Sequence, residues 1–179
     1  MRKLPLLLIG LTACGAPPAP APRRSEVLQR LAAGYEAYGK VDDTLRWSPG
    51  LCSMPPPPEP RMSAAGASTP HGRKLYHLYA KDWDAYTKGG AQPEGQVIVK
   101  EAWEPLPGDR PGAKQGLYIM LKTSAEAVDS DAGWVYGTVT PDGRTVTSVG
   151  RVTSCMSCHV DAPKDRIFGL PGRTRRPGS

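Results

Sequence analysis

Near its C-terminus the chain reads Cys155-Met156-Ser157-Cys158-His159, and this C-x-x-C-H unit constrains the molecule more than any other stretch. Thiols three positions apart lie on neighbouring parts of one helical turn. There they can add to the two vinyl groups of a haem, and the adjacent histidine can reach beneath the ring to bind iron through an imidazole nitrogen. A structural zinc site would need about four ligands, and only His71, His77 and Cys52 remain to complete one, with no pairing among them. A redox C-x-x-C would open a helix after a strand in a thioredoxin-like unit, and no βαβ pattern surrounds this one. The motif therefore reads as the attachment site of one covalent haem c, with Cys155 and Cys158 as anchors and His159 as the iron ligand.

Covalent attachment suits an exported protein, which would otherwise lose its cofactor to the medium, and the N-terminus carries the marks of export. Arg2 and Lys3 precede an apolar run from Leu4 to Leu11. That run is too short to span a bilayer and fits a signal-peptide core. It ends in Leu11-Thr12-Ala13-Cys14, a sequence similar to the bacterial lipobox, which makes Cys14 the expected lipidation site. The expected location is thus the extracytoplasmic, periplasmic face of a bacterial membrane, held there by lipid. Of the 4 cysteines, Cys14 goes to lipid, two to the motif, and Cys52 is left with no spare partner for a disulfide.

The remaining organisation follows from punctuation. With Gly 20 and Pro 20, much of the chain must be turn, loop or linker. Residues 1–13 read as signal peptide, 14–24 as a Pro/Ala-rich tether, 25–171 as the folded domain and 172–179 as a basic tail. Ser25 can cap a helix that sets Leu28, Leu31, Tyr35 and Tyr38 on one stripe and stops at Gly39. Prolines make Ser48 to Pro70 a long loop. Arg73–Ala80, Gln96–Trp103 and Leu117–Lys122 read as strands, Asp82–Thr87 as a short helix, and Pro105–Gly116 as a loop. Gly133–Thr140 and Arg144–Val149 pair across Pro141-Asp142-Gly143. Strands joined by short turns predict an α+β domain: an antiparallel sheet, a few helices and the C-terminal haem segment. The net charge of +6 comes partly from the termini, and no basic stripe with interleaved aromatics predicts a nucleic-acid partner.

From His71-Gly72 onward the chain resembles the cytochrome P-460 and cytochrome c′-beta family. The matching pieces come in order: Tyr76 and Tyr79, Tyr86, Gly95-Gln96-Val97-Ile98-Val99-Lys100-Glu101, Met120-Leu121-Lys122, Gly133-Trp134, and the haem motif followed by Asp165 and Phe168. The resemblance covers roughly the C-terminal two thirds. It implies a sheet-based haem fold, often dimeric, in which the motif histidine is the sole protein ligand. The open face would bind nitric oxide, hydroxylamine or a related small nitrogen species, with a redox partner protein. It also implies a role for Lys100, whose counterpart in the hydroxylamine-oxidising branch is cross-linked to the haem rim. That branch places a carboxylate where this chain has Tyr118. A phenol is a poor base near neutral pH, although Glu101 or Glu104 could take the part.

Taken by itself, Lys100 shares a strand face with Ile98 and Ala102, where it could simply extend its ammonium to water. His71 and His77 are further candidates for the iron, and Met54, Met62, Met120 and Met156 could complete a six-coordinate electron carrier. Trp83, Trp103 and Trp134 read as core aromatics. Three readings result: an open-faced haem sensor or oxidoreductase using Lys100 and Tyr118, a six-coordinate electron-transfer lipoprotein, and a non-haem structural lipoprotein whose motif is unused.

Overall fold

The computed structural model describes residues 22–41, 45–47 and 74–169. The signal segment, Cys14, most of the tether, the Pro-rich stretch with Cys52, Met54 and Met62, His71 and the basic tail lie outside the described residues.

The first helix, α1 (Arg24–Gly34), starts before Ser25, which falls inside its first turn. The opening backbone donor is satisfied by Glu26 instead, whose carboxylate accepts from Arg23 N at 3.2 Å. A carboxylate in the first turn also complements the helix dipole. The helix tightens into a 3₁₀ turn over Tyr35–Tyr38 and stops at Gly39, where φ is 78°, a backbone region that favours glycine. The expected stripe forms: Leu28 and Tyr35 are buried, with Leu31 and Tyr38 at their margin.

The strands are β1 (Arg46–Trp47), β2 (Leu75–Ala80), β3 (Val97–Leu106), β4 (Arg110–Lys122), β5 (Trp134–Val139) and β6 (Val146–Gly150). They form one six-stranded sheet in the order β1-β2-β3-β4-β5-β6, with every pair antiparallel. A short helix, α2 (Trp83–Lys88), follows β2, capped by Asp82, whose side chain accepts from Ala85 N. The last helix, α3 (Thr153–His159), carries the cysteine motif directly after β6.

One expectation fails here. Pro105–Gly116, read as a loop, is the distal half of the β3–β4 hairpin, with Pro105 opposite Pro111 and Leu106 opposite Arg110. Beyond Trp103 and Leu117 neither strand has a second neighbour. A proline in such a two-stranded ribbon can turn its missing N–H outward at no cost to the sheet. Two register shifts mark the crossing into the ribbon, between Ala102 and Trp103 and between Trp103 and Pro105.

Alternation divides the sheet into two faces. Tyr79, Val97, Val99, Leu117, Ile119 and Val139 pack against α1. On the opposite face Ile98, Met120, Trp134 and Tyr136 pack with Cys155 of α3 and with Ile167. The sheet thus separates a structural core from the core that contains the motif.

Candidate functional site

The short α3 presents its cysteines inward. Cys155 and Cys158 retain 7% and 6% of their exposure, one turn apart, as the spacing predicts. Burial pushes the Cys155 thiol above its ordinary pKa, opposed by a hydrogen bond from Ser154 and by the charge of Lys100. Cys155 is a free thiol, whereas Cys158 is disulfide-bonded. A sulfur not held in a thioether is open to oxidation, and one in a disulfide must be reduced before it can add to a vinyl group.

His159 ends α3. Its Nδ1 lies 2.6 Å from the carbonyl oxygen of Arg166. A carbonyl can only accept, so Nδ1 carries the proton and Nε2 keeps the lone pair. Burial lowers the imidazole pKa, and the nearby Lys100 charge acts in the same direction. The ring is flanked by Tyr136 at 5.6 Å and Phe168 at 5.4 Å between centroids. A neutral imidazole with one nitrogen tied back and the other aimed away is the form that binds a metal. Among the described residues no cluster of three or more histidine, cysteine or acidic side chains forms an ion site.

The carbonyl that receives His159 belongs to a tight turn. Asp165 and Arg166 have φ of 50° and 66°, uncommon for residues with a side chain. Lys122 Nζ holds the Asp165 carboxylate at 2.9 Å, as does Gln92 N at 2.8 Å, while Trp134 Nε1 donates to the Asp165 carbonyl at 2.9 Å. Asp165 was visible in the sequence only through the family resemblance. Arg166 carried no signal at all.

On the sheet, Lys100 pairs in register with Tyr118, and Ile98 with Met120. Lys100 Nζ stands 4.3 Å from the centre of the Tyr76 ring and 6.0 Å from that of Tyr118. Burial, and then the charge of Lys74, push its pKa down to about 7, with Cys155 pulling weakly the other way. Cys155 packs with Ile98 and Met120 on the sheet face that carries Lys100, although strand β3 and helix α3 are far apart in sequence. Lys74, which sequence reasoning missed, donates to the Tyr118 hydroxyl at 2.8 Å. Nothing but its position two residues before Tyr76 could have pointed to it.

Several sequence candidates sit elsewhere. Glu101 faces the α1 side, where it accepts from Tyr35, Tyr79 and Trp103 and pairs with Lys114 at 2.9 Å. Glu104 is exposed. Neither can stand in for a carboxylate beside Lys100. His77, opposite Glu101 in register, shares that far face and cannot approach the iron ligand's side. Met120 does lie on the motif's face, buried beside Tyr136 and Cys155, with Met156 at the edge of the same core. Of the three tryptophans expected in the core, Trp134 is fully buried, while Trp83 and Trp103 are half-buried.

A protein-family model described as Cytochrome P-460 matches residues 61–168. No curated protein matches the chain.

Proposed function

The chain belongs to the cytochrome P-460 family, whose model spans more than half of its length, and on that premise we propose an exported c-type haem protein with an open face for nitric oxide or a related small nitrogen species. Cys155 and Cys158 would hold one haem per chain by thioethers, and His159 would bind the iron through Nε2. The group supplies, when bound, a redox-active iron with a position for a small ligand. The residues fit it once Cys158 is reduced: Cys155 is a free thiol, Cys158 lies one turn on in α3, and the imidazole is neutral and already oriented by its other nitrogen.

The reading rests on one observation. Cys155 of α3 is buried against Ile98 and Met120 of the sheet, on the face that also carries Lys100 opposite Tyr118, which supports a single site shared by the sheet face and the attachment helix. Ile98 and Met120 make its wall apolar. Lys100, near its midpoint at neutral pH, can give or take a proton there. Tyr118 can donate a hydrogen bond to a ligand but is a poor proton acceptor. Hydroxylamine oxidation should therefore be slow or absent, and nitric oxide binding fast.

The direct test is a haem stain on a denaturing gel after expression with haem-maturation machinery, followed by stopped-flow binding of nitric oxide to the reduced protein. Wild type should stain, Cys155→Ala and Cys158→Ala should stain weakly or not at all, and reduced wild type should bind nitric oxide readily. Tyr118→Phe should change the ligand dissociation rate several-fold, since one hydrogen bond is worth about 0.5–1.5 kcal/mol net. A low-spin haem that refuses nitric oxide would favour instead the six-coordinate carrier, for which Met120 on the same face is the candidate ligand.

Lipidation of Cys14 and a periplasmic location complete the proposal, supported by the apolar run and lipobox-like ending. A diacyl anchor gains about 0.8 kcal/mol per buried methylene, so Cys14→Ser should move the protein to the soluble exported fraction. Retention of that variant on membranes would sink the lipid assignment.

A further inference from the structure

The Arg166 turn does more than receive a hydrogen bond. Arg166 Nε and Nη2 engage the two Asp131 carboxylate oxygens at 2.9 and 3.0 Å, and Nη1 donates to the Val160 carbonyl at 3.0 Å, where α3 ends. Asp131 also accepts from the Tyr136 hydroxyl at 3.0 Å, and the Tyr136 ring is one of the two that flank the imidazole. The guanidinium is thus fastened to the residue just after His159 and to the loop before β5. Between those fastenings sits the left-handed backbone whose carbonyl meets Nδ1. A conformation of this kind persists only where the surroundings hold it.

We infer that Asp131 and the Arg166 side chain are positioning residues for the axial histidine, setting the haem's reduction potential by pinning the Arg166 carbonyl against His159 Nδ1. The inference rests on the haem reading above. A firmly held acceptor on Nδ1 gives the imidazole partial imidazolate character and makes it a stronger donor to the metal. Stronger donation favours the ferric state, because the more positive iron gains more from it. Releasing the carbonyl weakens the donor and favours the ferrous state. Every atom of this device comes from the chain, and it reaches the metal only through the ring of His159.

The test uses haem-loaded protein: wild type, Asp131→Ala, Asp131→Asn, Arg166→Ala and Arg166→Lys. The readouts are the midpoint potential from a spectrophotometric redox titration and the iron–histidine stretching frequency from resonance Raman spectra of the reduced form. Asp131→Ala and Arg166→Ala should raise the ratio of ferrous to ferric protein at a given ambient potential by up to about tenfold, ~59 mV for one electron. Their stretching frequency should fall, and Arg166→Lys, which keeps one contact to Asp131, should lie between them and wild type. Should the alanine variants not retain haem, the near-isosteric Asp131→Asn and Arg166→Lys decide by the same two measurements. Haem-loaded variants with wild-type potential and frequency, even if less heat-stable, would overturn the positioning role while leaving the haem reading intact. A wild-type protein without haem would overturn both.

Discussion

At the scale of single residues, the division of labour between Lys100 and Glu101 is set by alternation. Neighbours in a strand face opposite ways, so the lysine enters the motif's face and the glutamate the α1 core. The segment Val97 to Glu101 shows this pattern in the sequence, but which face meets the cysteines depends on how α3 packs, and no local rule supplies that. Glu101 is the buried acceptor for two tyrosines, a tryptophan and a lysine. Burial disfavours its charge, yet hydrogen bonds from Tyr35 and Lys114 outweigh that and hold its carboxyl below the usual range. Glu101→Ala should cost roughly 1–3 kcal/mol, the penalty for stranding buried donors, and Glu101→Gln less. Chemical denaturation measures both, and haem content should stay at the wild-type level because the site lies on the other face. The cysteine–histidine motif was legible because its chemistry is contiguous. Lys74, Asp131 and Arg166 were not, because each gains its role only through a partner distant in the chain.

At the scale of elements, α1 docks across the sheet through a glycine. A side-chain carbon at Gly137 would lie 2.2 Å from Leu28 Cδ1, far inside contact distance. Gly137→Ala should therefore destabilise the protein by about 1–3 kcal/mol, the usual cost of overpacking. Leu28→Ala combined with it should cost less than the sum of the two single changes, because both act on one contact. Thermal unfolding of the three variants reads this out, and simple additivity would show that α1 is not seated as described. The α1 stripe, the strands after the two-residue β1 and the hairpin across Pro141-Asp142-Gly143 could be anticipated from period and turn chemistry. The β3–β4 ribbon could not. Its prolines argue against a strand in the middle of a sheet, and only the finding that each ribbon strand has a single neighbour removes the objection. The start of α1 was missed for a similar reason: a glutamate two residues into the helix replaced the expected serine cap.

At the scale of the whole molecule, three carboxylates set the acid limit. Glu101, Asp131 and Asp165 all have lowered pKa values; in each case burial acts against the charge, and hydrogen bonds and cationic partners more than offset it. A carboxylate whose folded pKa is depressed stabilises the fold above its unfolded pKa, about 4. That contribution is lost as pH falls through the folded value. Stability should therefore decline below about pH 4, and Asp131→Asn should flatten part of the decline. Tyr35, Tyr79 and Tyr136 act at the opposite end. Burial, with Glu101 or Asp131 adding to it, raises their pKa values, so their contribution is complete below about pH 10 and fades as pH rises further. Urea titrations across the pH range measure both limits.

The sheet's simple order has a consequence for how the molecule comes into being. Every strand pairs with the one before it, so contacts are close in sequence and assembly can proceed by successive zipping, the kind of topology that folds quickly. The attachment helix comes after all six strands. In a chain made from N- to C-terminus, all six strands therefore precede the cysteine pair. On the haem reading, attachment would act on a late-arriving segment beside a framework able to receive it.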